Sequence, residues 1–135
     1  MMTKPHKPIL CLDFDGVIHS YTSGWKGARN IPDPPMPGSL AFMLDMLNAG
    51  WRVVIHSSRG QHFGGIRAMR KWLYKHAMAE HCWYEYGFGL GLEDVEFSRT
   101  KPSAIMTIDD RAVQFTGKFP SVADVKAFKP WKLPA

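Results

Sequence analysis

Two pairs of acidic residues follow short apolar runs at widely separated points of the sequence. Asp13 and Asp15 come after one run, and Asp109 and Asp110 come after another. Carboxylates held close together repel each other unless a cation lies between them. Magnesium takes hard oxygen ligands, whereas calcium more often brings a dedicated ligand loop and zinc needs Cys or His at ligand spacing. The four acids therefore predict a Mg²⁺ site.

The spacing of Asp13 and Asp15 suits the transfer of a phosphoryl group bound to such a metal. One carboxylate would attack phosphorus and form an aspartyl phosphate, which divides the transfer into two easier steps. The other would protonate the leaving oxygen and then accept a proton from water. A turn at Gly16 would let Asp15 reach the leaving group while Asp13 stays in line. A hydroxyl and a lysine from neighbouring elements would hold the phosphoryl oxygens.

Strands and helices are predicted to alternate around these acids. Apolar runs indicate buried strands over residues 9–14, 51–56 and 104–108 and a short strand near 95–97, and helical spacing and capping signals indicate helices over 40–49, 65–78 and 121–128. This alternation is typical of an α/β fold, here a three-layer α/β/α Rossmann-like parallel sheet. The functional crevice of such a sheet lies at the carboxyl ends of its strands, where Asp13 and Asp109 are expected to meet.

Residues 17–37 are predicted to form a flap rather than a second domain. The segment contains turn residues throughout and closely spaced prolines near its end. It is too short to bury a core of its own, so the chain is predicted to form one domain over residues 1–135.

The composition excludes several classes of protein. A hydrophobic fraction of 45% and a charged fraction of 21% argue against a disordered chain, and no apolar run is long enough to span a membrane. Two cysteines, Cys11 and Cys82, cannot form a disulfide framework and are predicted to be reduced thiols. Because the sequence has no signal-peptide pattern, it predicts a cytoplasmic protein.

The net charge of +5 is unevenly distributed along the chain. No acidic residue lies between Asp45 and Glu80, where basic residues accumulate. The basic face of the second predicted helix is interpreted as a solvated surface, with a nucleic-acid contact as the alternative. Three histidines, His19, His56 and His62, are interpreted as packing or surface residues, because phosphoryl transfer to an aspartate needs no imidazole.

Three stretches of the sequence resemble motifs of the haloacid dehalogenase superfamily. The stretch DFDGVI resembles its first motif, VVIHSSR resembles the second, and TKPSAIMTIDD resembles the third and fourth. Their order and strand context match over residues 9–115. The resemblance implies a magnesium-dependent phosphatase that works through an aspartyl phosphate. The S-S-R of the second stretch is also similar to the S-G-R of phage polynucleotide kinase 3'-phosphatase domains.

The resemblance assigns the acidic residues to catalysis and metal binding. Asp13 would be the nucleophile and a magnesium ligand. Asp15 would be the general acid and base and would bind the metal through its backbone carbonyl, and an aspartate at this position marks phosphatases within the superfamily. Asp109 would complete the metal site, with Asp110 behind a water molecule.

The resemblance also implies which residues hold the phosphoryl group. Ser57 would hydrogen-bond it, but Ser58 is adjacent, and the register of the strand decides which hydroxyl faces the phosphate. Lys101 would neutralise the charge on the nucleophile and the phosphate. It lies closer to the last acidic pair than in many relatives, so Arg99 is the alternative. Arg59 is predicted to assist in binding the substrate.

A capless site is expected, because the sequence lacks room for the cap domain that the superfamily usually inserts after its first or second motif. The substrate would then meet Tyr21, Trp25 and Lys26 in the flap, with Arg59 and His62 across the site. The candidate substrates are phosphorylated metabolites, nucleotides and nucleic-acid 3'-phosphate ends, and the basic stretch favours the last two. No membrane partner is expected, and the protein is predicted to be a monomer or a homodimer.

The alternative is a non-catalytic regulatory or interaction module that keeps the fold and binds metal or phosphate. It would be favoured if Asp15 were poorly placed for proton transfer or if the site were blocked. Magnesium-dependent hydrolysis of a phosphate ester would separate the two hypotheses.

Overall fold

The computed structural model describes residues 6–80 and 91–131 of the chain. The main elements are strand β1 (Ile9–Leu12), helix α1 (Ser39–Asn48), strand β2 (Arg52–His56), helix α2 (Gly65–Ala79), strand β3 (Glu96–Ser98), strand β4 (Met106–Ile108) and helix α3 (Val122–Ala127). Short 3₁₀ helices lie between them at Ser58–Gln61 and Leu92–Asp94. The predicted alternation of strands and helices is confirmed.

The four strands form a parallel sheet in the order β3-β2-β1-β4. β1 is central because its residues are apolar throughout, and Leu10 to Leu12 are buried. Parallel pairing places Leu12 beside Ile55 of β2 and beside Ile108 of β4. The chain therefore leaves β1, β2 and β4 at the same edge of the sheet.

The core lies between one face of the sheet and helices α1 and α2. The side chains that meet there include Leu10, Leu12, Val53 and Ile55 from the sheet, Leu40, Met43 and Leu47 from α1, and Met69, Trp72 and Leu73 from α2. Each large apolar side chain removed from water contributes roughly 1.5–3 kcal/mol. Both helices connect neighbouring parallel strands, and right-handed crossovers place them on the same face.

The opposite face of the sheet is more polar. It carries Cys11, which is buried and free, and an exposed ion pair between Arg52 and Glu96. Cys82 lies outside the described residues. Helix α3 has no buried residue. The α/β fold with a parallel sheet flanked by helices is confirmed, whereas a second helical layer remains a prediction.

The prediction that residues 104–108 form a buried strand is wrong. The strand β4 begins only at Met106, and this residue is 57% exposed because β4 lies at the edge of the sheet. Ile105, just before it, is 73% exposed. An apolar run indicates a strand, but it does not determine the place of that strand in the sheet.

The helix ends follow the predicted signals. Gly50, just after α1, has a φ of 93°, a left-handed conformation that favours glycine. The Ser121 hydroxyl accepts a hydrogen bond from the Asp124 N–H, and the Asp124 carboxylate accepts one from the Ser121 N–H, so the capping box of α3 is confirmed. Among the helices of residues 6–80 and 91–131, none is long and apolar enough to cross a membrane.

Residues 17–37, the flap, are fixed to the helical layer by Asp33. The Asp33 carboxylate accepts hydrogen bonds from the backbone N–H and the hydroxyl of Ser23. Its backbone carbonyl accepts a hydrogen bond of 3.0 Å from the indole N–H of Trp72 in α2. These bonds hold the flap over the edge of the sheet at which β1 ends.

Candidate active site

Three carboxylates converge where β1 and β4 end. Asp13 follows β1, and its N–H donates to the carbonyl of Ile108, the last residue of β4, at 3.0 Å. This bond brings Asp13 next to Asp109 and Asp110. One carboxylate oxygen from each of the three residues lies within 4.8 Å of the others. The structure thus brings together three of the four acids that the sequence analysis singled out, and we call them the acidic cluster.

The electrostatics of the acidic cluster favour a cation. Burial raises the pKa of Asp13 from 3.8 to about 7, and the neighbouring charges of Asp109 and Asp110 act in the same direction. The Oδ1 atom of Asp110 is shielded from solvent and has no hydrogen-bond partner within the described part of the chain. A divalent cation would compensate for both the repulsion and the unpaired oxygen, so these residues fit the predicted Mg²⁺.

Gly16 makes the close approach of Asp110 possible. A Cβ atom at this position would lie 2.3 Å from Oδ2 of Asp110, and the φ of Gly16 is 82°. A side chain here would clash with the carboxylate and would strain the backbone. The glycine that ends the DFDG stretch therefore shapes the acidic cluster as well as the turn.

The carboxylate of Asp15 lies outside the acidic cluster and is held by two other side chains. Nε of Arg59 donates to both of its oxygens, at 2.9 and 3.0 Å, and Nδ1 of His19 lies 2.9 Å from Oδ1. Burial alone would raise the pKa of Asp15, but the hydrogen bonds from His19 and Arg59 and the charge of Arg59 outweigh it and lower the pKa. Asp15 is therefore an ionised base. Its role as a metal ligand through its carbonyl stays a prediction.

Arg59 connects Asp15 to the flap. Its side chain is fully buried, and Nη1 donates to the backbone carbonyls of Gly27, Ala28 and Asn30, at distances from 2.9 to 3.3 Å. The guanidinium also lies 4.8 Å from the centre of the Trp25 ring. A substrate-binding role for Arg59 stays a prediction; in the structure Nε and Nη1 have partners within the protein, whereas Nη2 has none in the described part of the chain.

His19 is a site residue whose role the sequence analysis missed. Its side chain is fully buried, and the backbone N–H of Asp33 donates to Nε2 at 3.1 Å. Because Nε2 accepts this bond, we assign the ring proton to Nδ1, which then donates to Asp15. The sequence feature that could have indicated this role is the position of His19 four residues after Asp15, just beyond the turn at Gly16.

A cavity of about 590 Å³ opens beside the acidic cluster. Its walls are formed by Asp13, Asp15, Tyr21, Trp25, His56, Ser58, His62, Asp109 and Arg111. Tyr21 has a φ of 60°, an uncommon conformation for a residue with a side chain. The cavity is large enough for a phosphate ester, and its walls combine carboxylates, a hydroxyl and a cation.

The two serines occupy different positions relative to this cavity. Ser58 is exposed and lies on the cavity wall. Ser57 is buried, and its hydroxyl oxygen accepts a hydrogen bond of 3.2 Å from the N–H of Arg59. Accepting this bond leaves the Ser57 hydroxyl proton available to donate. Both serines thus keep a donor near the site, and Ser58 is the one that faces the open cavity.

The cation on the cavity wall is Arg111, which the sequence analysis did not consider. Its backbone N–H donates to Oδ1 of Asp109 at 2.9 Å, which fixes the start of its side chain beside the acidic cluster. Lys101 lies near Cys11, where burial raises the pKa of the thiol and the charge of Lys101 opposes that rise. Arg99 lines a separate groove. Neither of the two predicted cations forms part of the cavity wall.

Comparison with known proteins gives no assignment for this chain. No family model matches it, and no match is found among the curated proteins or the solved structures. The function is therefore inferred from the geometry of the site and from the motifs in the sequence.

Proposed function

We propose that this protein is a magnesium-dependent phosphatase of the haloacid dehalogenase type, capless and Rossmann-like, that forms an aspartyl phosphate on Asp13. The observation that carries the proposal is the convergence of Asp13, Asp109 and Asp110 at the carboxyl ends of parallel strands, beside a cavity that Asp13 and Asp109 line. These acids would hold Mg²⁺, which when bound would offset the negative charge of the phosphoryl oxygens. Nucleotides and nucleic-acid 3'-phosphate ends are the substrates we favour.

In the first step the chain supplies a nucleophile. A carboxylate oxygen of Asp13 forms a bond to phosphorus, and the bond between phosphorus and the ester oxygen breaks. The leaving oxygen takes a proton from the protonated form of Asp15, which returns to the ionised carboxylate that its contacts favour. Donors on the cavity wall, the Ser58 hydroxyl and the Arg111 guanidinium, would orient the phosphoryl group.

In the second step Asp15 acts as a general base, because its surroundings keep its carboxylate ionised. A water molecule attacks phosphorus, the bond from phosphorus to Asp13 breaks, and the water proton moves to Asp15. The contacts from Arg59 and His19 keep Asp15 ionised before this step. The sum of both steps consumes one phosphate monoester and one water and gives an alcohol and inorganic phosphate.

The direct test is hydrolysis of an aryl phosphate by the purified, chelator-treated protein. We expect no hydrolysis without metal and hydrolysis after addition of Mg²⁺. Rapid acid quenching followed by mass spectrometry should find a phosphoryl group on the peptide that contains Asp13. Hydrolysis that persists in the chelator, or a phosphorylated peptide from elsewhere in the chain, would contradict the mechanism.

A second prediction concerns the cation that holds the phosphoryl group. Replacing Arg111 by Met is expected to raise KM for the aryl phosphate about 10- to 100-fold, because a hydrogen bond to a charged group contributes roughly 1.5–3 kcal/mol. Lys101→Met is the matched control, since it removes an equal charge that is not on the cavity wall. A larger effect of Lys101→Met would assign the role to the lysine, as the resemblance implies.

A non-catalytic module is the second candidate, and one observation favours it. The carboxylate of Asp15 is held by Arg59 and His19, which lower its pKa and make it a poor proton donor. This protein would then bind Mg²⁺ and phosphate without turnover. Metal binding seen by calorimetry, together with no hydrolysis of aryl phosphates or 3'-phosphorylated oligonucleotides, would support this candidate over the phosphatase.

A further inference from the structure

We propose that a basic and aromatic surface beside the cavity binds single-stranded nucleic acid and leads a phosphorylated end of the strand to the acidic cluster. The surface, which we call the basic track, consists of Lys26, Arg29, Phe63, Arg67, Arg70 and Arg99, joined at His62. Strand binding by the basic track does not depend on catalysis. The delivery of a terminal phosphate to Asp13 rests on the proposed function.

The basic track adjoins the cavity because His62 lines three openings. It forms part of the wall of the 590 Å³ cavity, and it also borders two grooves of about 520 and 310 Å³. Lys26, Arg29 and Phe63 line the larger groove, which runs along the flap. Arg67, Arg70 and Arg99 line the smaller groove, which runs along α2. No acidic residue lines either groove, whereas Arg70 also lines a third groove together with Glu93, Asp94 and Glu96.

The cations of the basic track are available to a ligand. All five are exposed, and within residues 6–80 and 91–131 none of them forms an ion pair. By contrast, Arg52 and Arg59 are each paired with a carboxylate. Unpaired, clustered cations attract a phosphodiester backbone, because binding releases the counterions that the backbone holds. Because the cations surround His62, they can contact successive phosphates of one strand.

Exposed aromatic rings distinguish a single strand from other polyanions. The Phe63 side chain is 94% exposed, and Trp25, on the cavity wall, is 47% exposed. The Trp25 and His62 rings lie 5.8 Å apart, and both line the cavity. Unstacked bases stack on such rings, whereas the bases of a duplex are already stacked on each other. Cations beside free rings are therefore the chemistry that recognises a single strand.

A pair of glycines joins the two halves of the basic track. A Cβ atom at Gly65 would lie 1.8 Å from the carbonyl oxygen of Arg59, and one at Gly64 would lie 2.9 Å from Cδ of Arg29. The side chain of Arg29 thus lies against Gly64, the residue just before α2. Because glycine allows this close approach, the larger groove along the flap and the smaller groove along α2 lie on one surface.

The test uses fluorescence anisotropy with a labelled single-stranded oligonucleotide that ends in a 3'-hydroxyl, so that binding is measured without hydrolysis. We expect saturable binding that weakens with salt, since each phosphate contact on a single strand contributes about −0.7 to the slope of log K against log salt. The double change Arg67→Gln and Arg70→Gln should make that slope about 1.4 less negative. Phe63→Ala should weaken binding about 5- to 150-fold.

The matched control is Lys71→Gln with Lys75→Gln, which removes the same charge from the same helix outside the basic track. An equal loss in this control, or tighter binding of a duplex or of anionic phospholipid vesicles than of the single strand, would overturn the proposal. Hydrolysis of an aryl phosphate by the wild-type protein is measured in parallel. Binding without hydrolysis would support strand binding by the basic track and contradict only the phosphatase. Hydrolysis without binding would support the phosphatase and contradict strand binding by the basic track.

Discussion

Replacing Asp13 by Asn is expected to abolish magnesium-dependent hydrolysis while making the metal-free protein more stable. An amide cannot form the aspartyl phosphate, so the rate should fall by about 10³-fold or more, as it does when a nucleophile is removed. The gain in stability follows from the acidic cluster, in which burial and two neighbouring carboxylates oppose the charge of Asp13. Activity and stability should thus change in opposite directions.

The change in stability has a defined dependence on pH. The pKa of Asp13 is raised from 3.8 to about 7 in the folded protein, so its ionisation costs stability as pH rises from about 4 through 7. The full shift, about 3 units, corresponds to roughly 4 kcal/mol. Because water reaches part of the site, we expect Asp13→Asn to raise the free energy of unfolding by about 1–3 kcal/mol at pH 8. The difference should disappear at pH 4.

Urea unfolding in the presence of a chelator, at pH 4 and pH 8, measures this effect. Mg²⁺ should stabilise the wild type at pH 8 and should stabilise Asp13→Asn much less, because the variant lacks one ligand. Asp45→Asn is the control, since Asp45 is exposed on α1, away from the acidic cluster. A metal-free Asp13→Asn protein that is less stable than the wild type at pH 8 would show that the carboxylates are not in electrostatic conflict.

The convergence of the acidic cluster could be predicted from the sequence because it depends only on local signals and one general rule. Short apolar runs before Asp13 and Asp109 indicate strands, and alternation with helices makes the sheet parallel. The carboxyl ends of parallel strands then meet at one edge. The exposure of β4 could not be predicted in this way. It depends on the order of the strands in the sheet, which connection lengths alone do not determine.

The partners of Asp15 could not be predicted, because they come from tertiary packing. Arg59 lies 44 residues further along the chain and reaches Asp15 only when β1 and β2 pair. The serine register was open for the same reason, since the 3₁₀ helix after β2 buries Ser57 and exposes Ser58. Arg111 was not predicted, because the motifs indicate a lysine before Asp109 and Asp110. The cation on the cavity wall, Arg111, comes after this acidic pair.

Replacing Arg59 by Leu is expected to be among the most destabilising changes in this protein. Removal of the guanidinium leaves the Asp15 carboxylate with His19 as its remaining buried donor. It also takes one donor from each of the carbonyls of Gly27, Ala28 and Asn30. Breaking a buried ion pair by removing one partner costs about 3–5 kcal/mol, a large share of the 5–15 kcal/mol that stabilises a typical domain. Arg59→Lys should recover only part of the loss, because an ammonium group cannot serve the carboxylate and the flap together.

The surface of the same protein offers a matched control for Arg59→Leu. Arg52 also donates two hydrogen bonds to a carboxylate, that of Glu96 at 2.7 and 2.8 Å, but both side chains are nearly half exposed. We expect Arg52→Leu to cost less than about 1 kcal/mol, because solvent screens exposed pairs. Equal losses in the two variants, measured by urea unfolding at pH 7, would show that burial adds nothing to the contact between Arg59 and Asp15.

Acid should reduce the difference between the wild type and Arg59→Leu. The pKa of Asp15 lies below its usual value of 3.8 in the folded wild type, so the stability that its charge contributes is present above about pH 4 and is lost as pH falls further. The variant lacks the Arg59 contribution to that shift and should lose less on acidification.

Limited proteolysis at pH 7 gives an independent measure, because the flap loses its anchor on Arg59 and should be cleaved faster than in Arg52→Leu. Cleavage at equal rates would mean that Asp33 alone holds the flap in place.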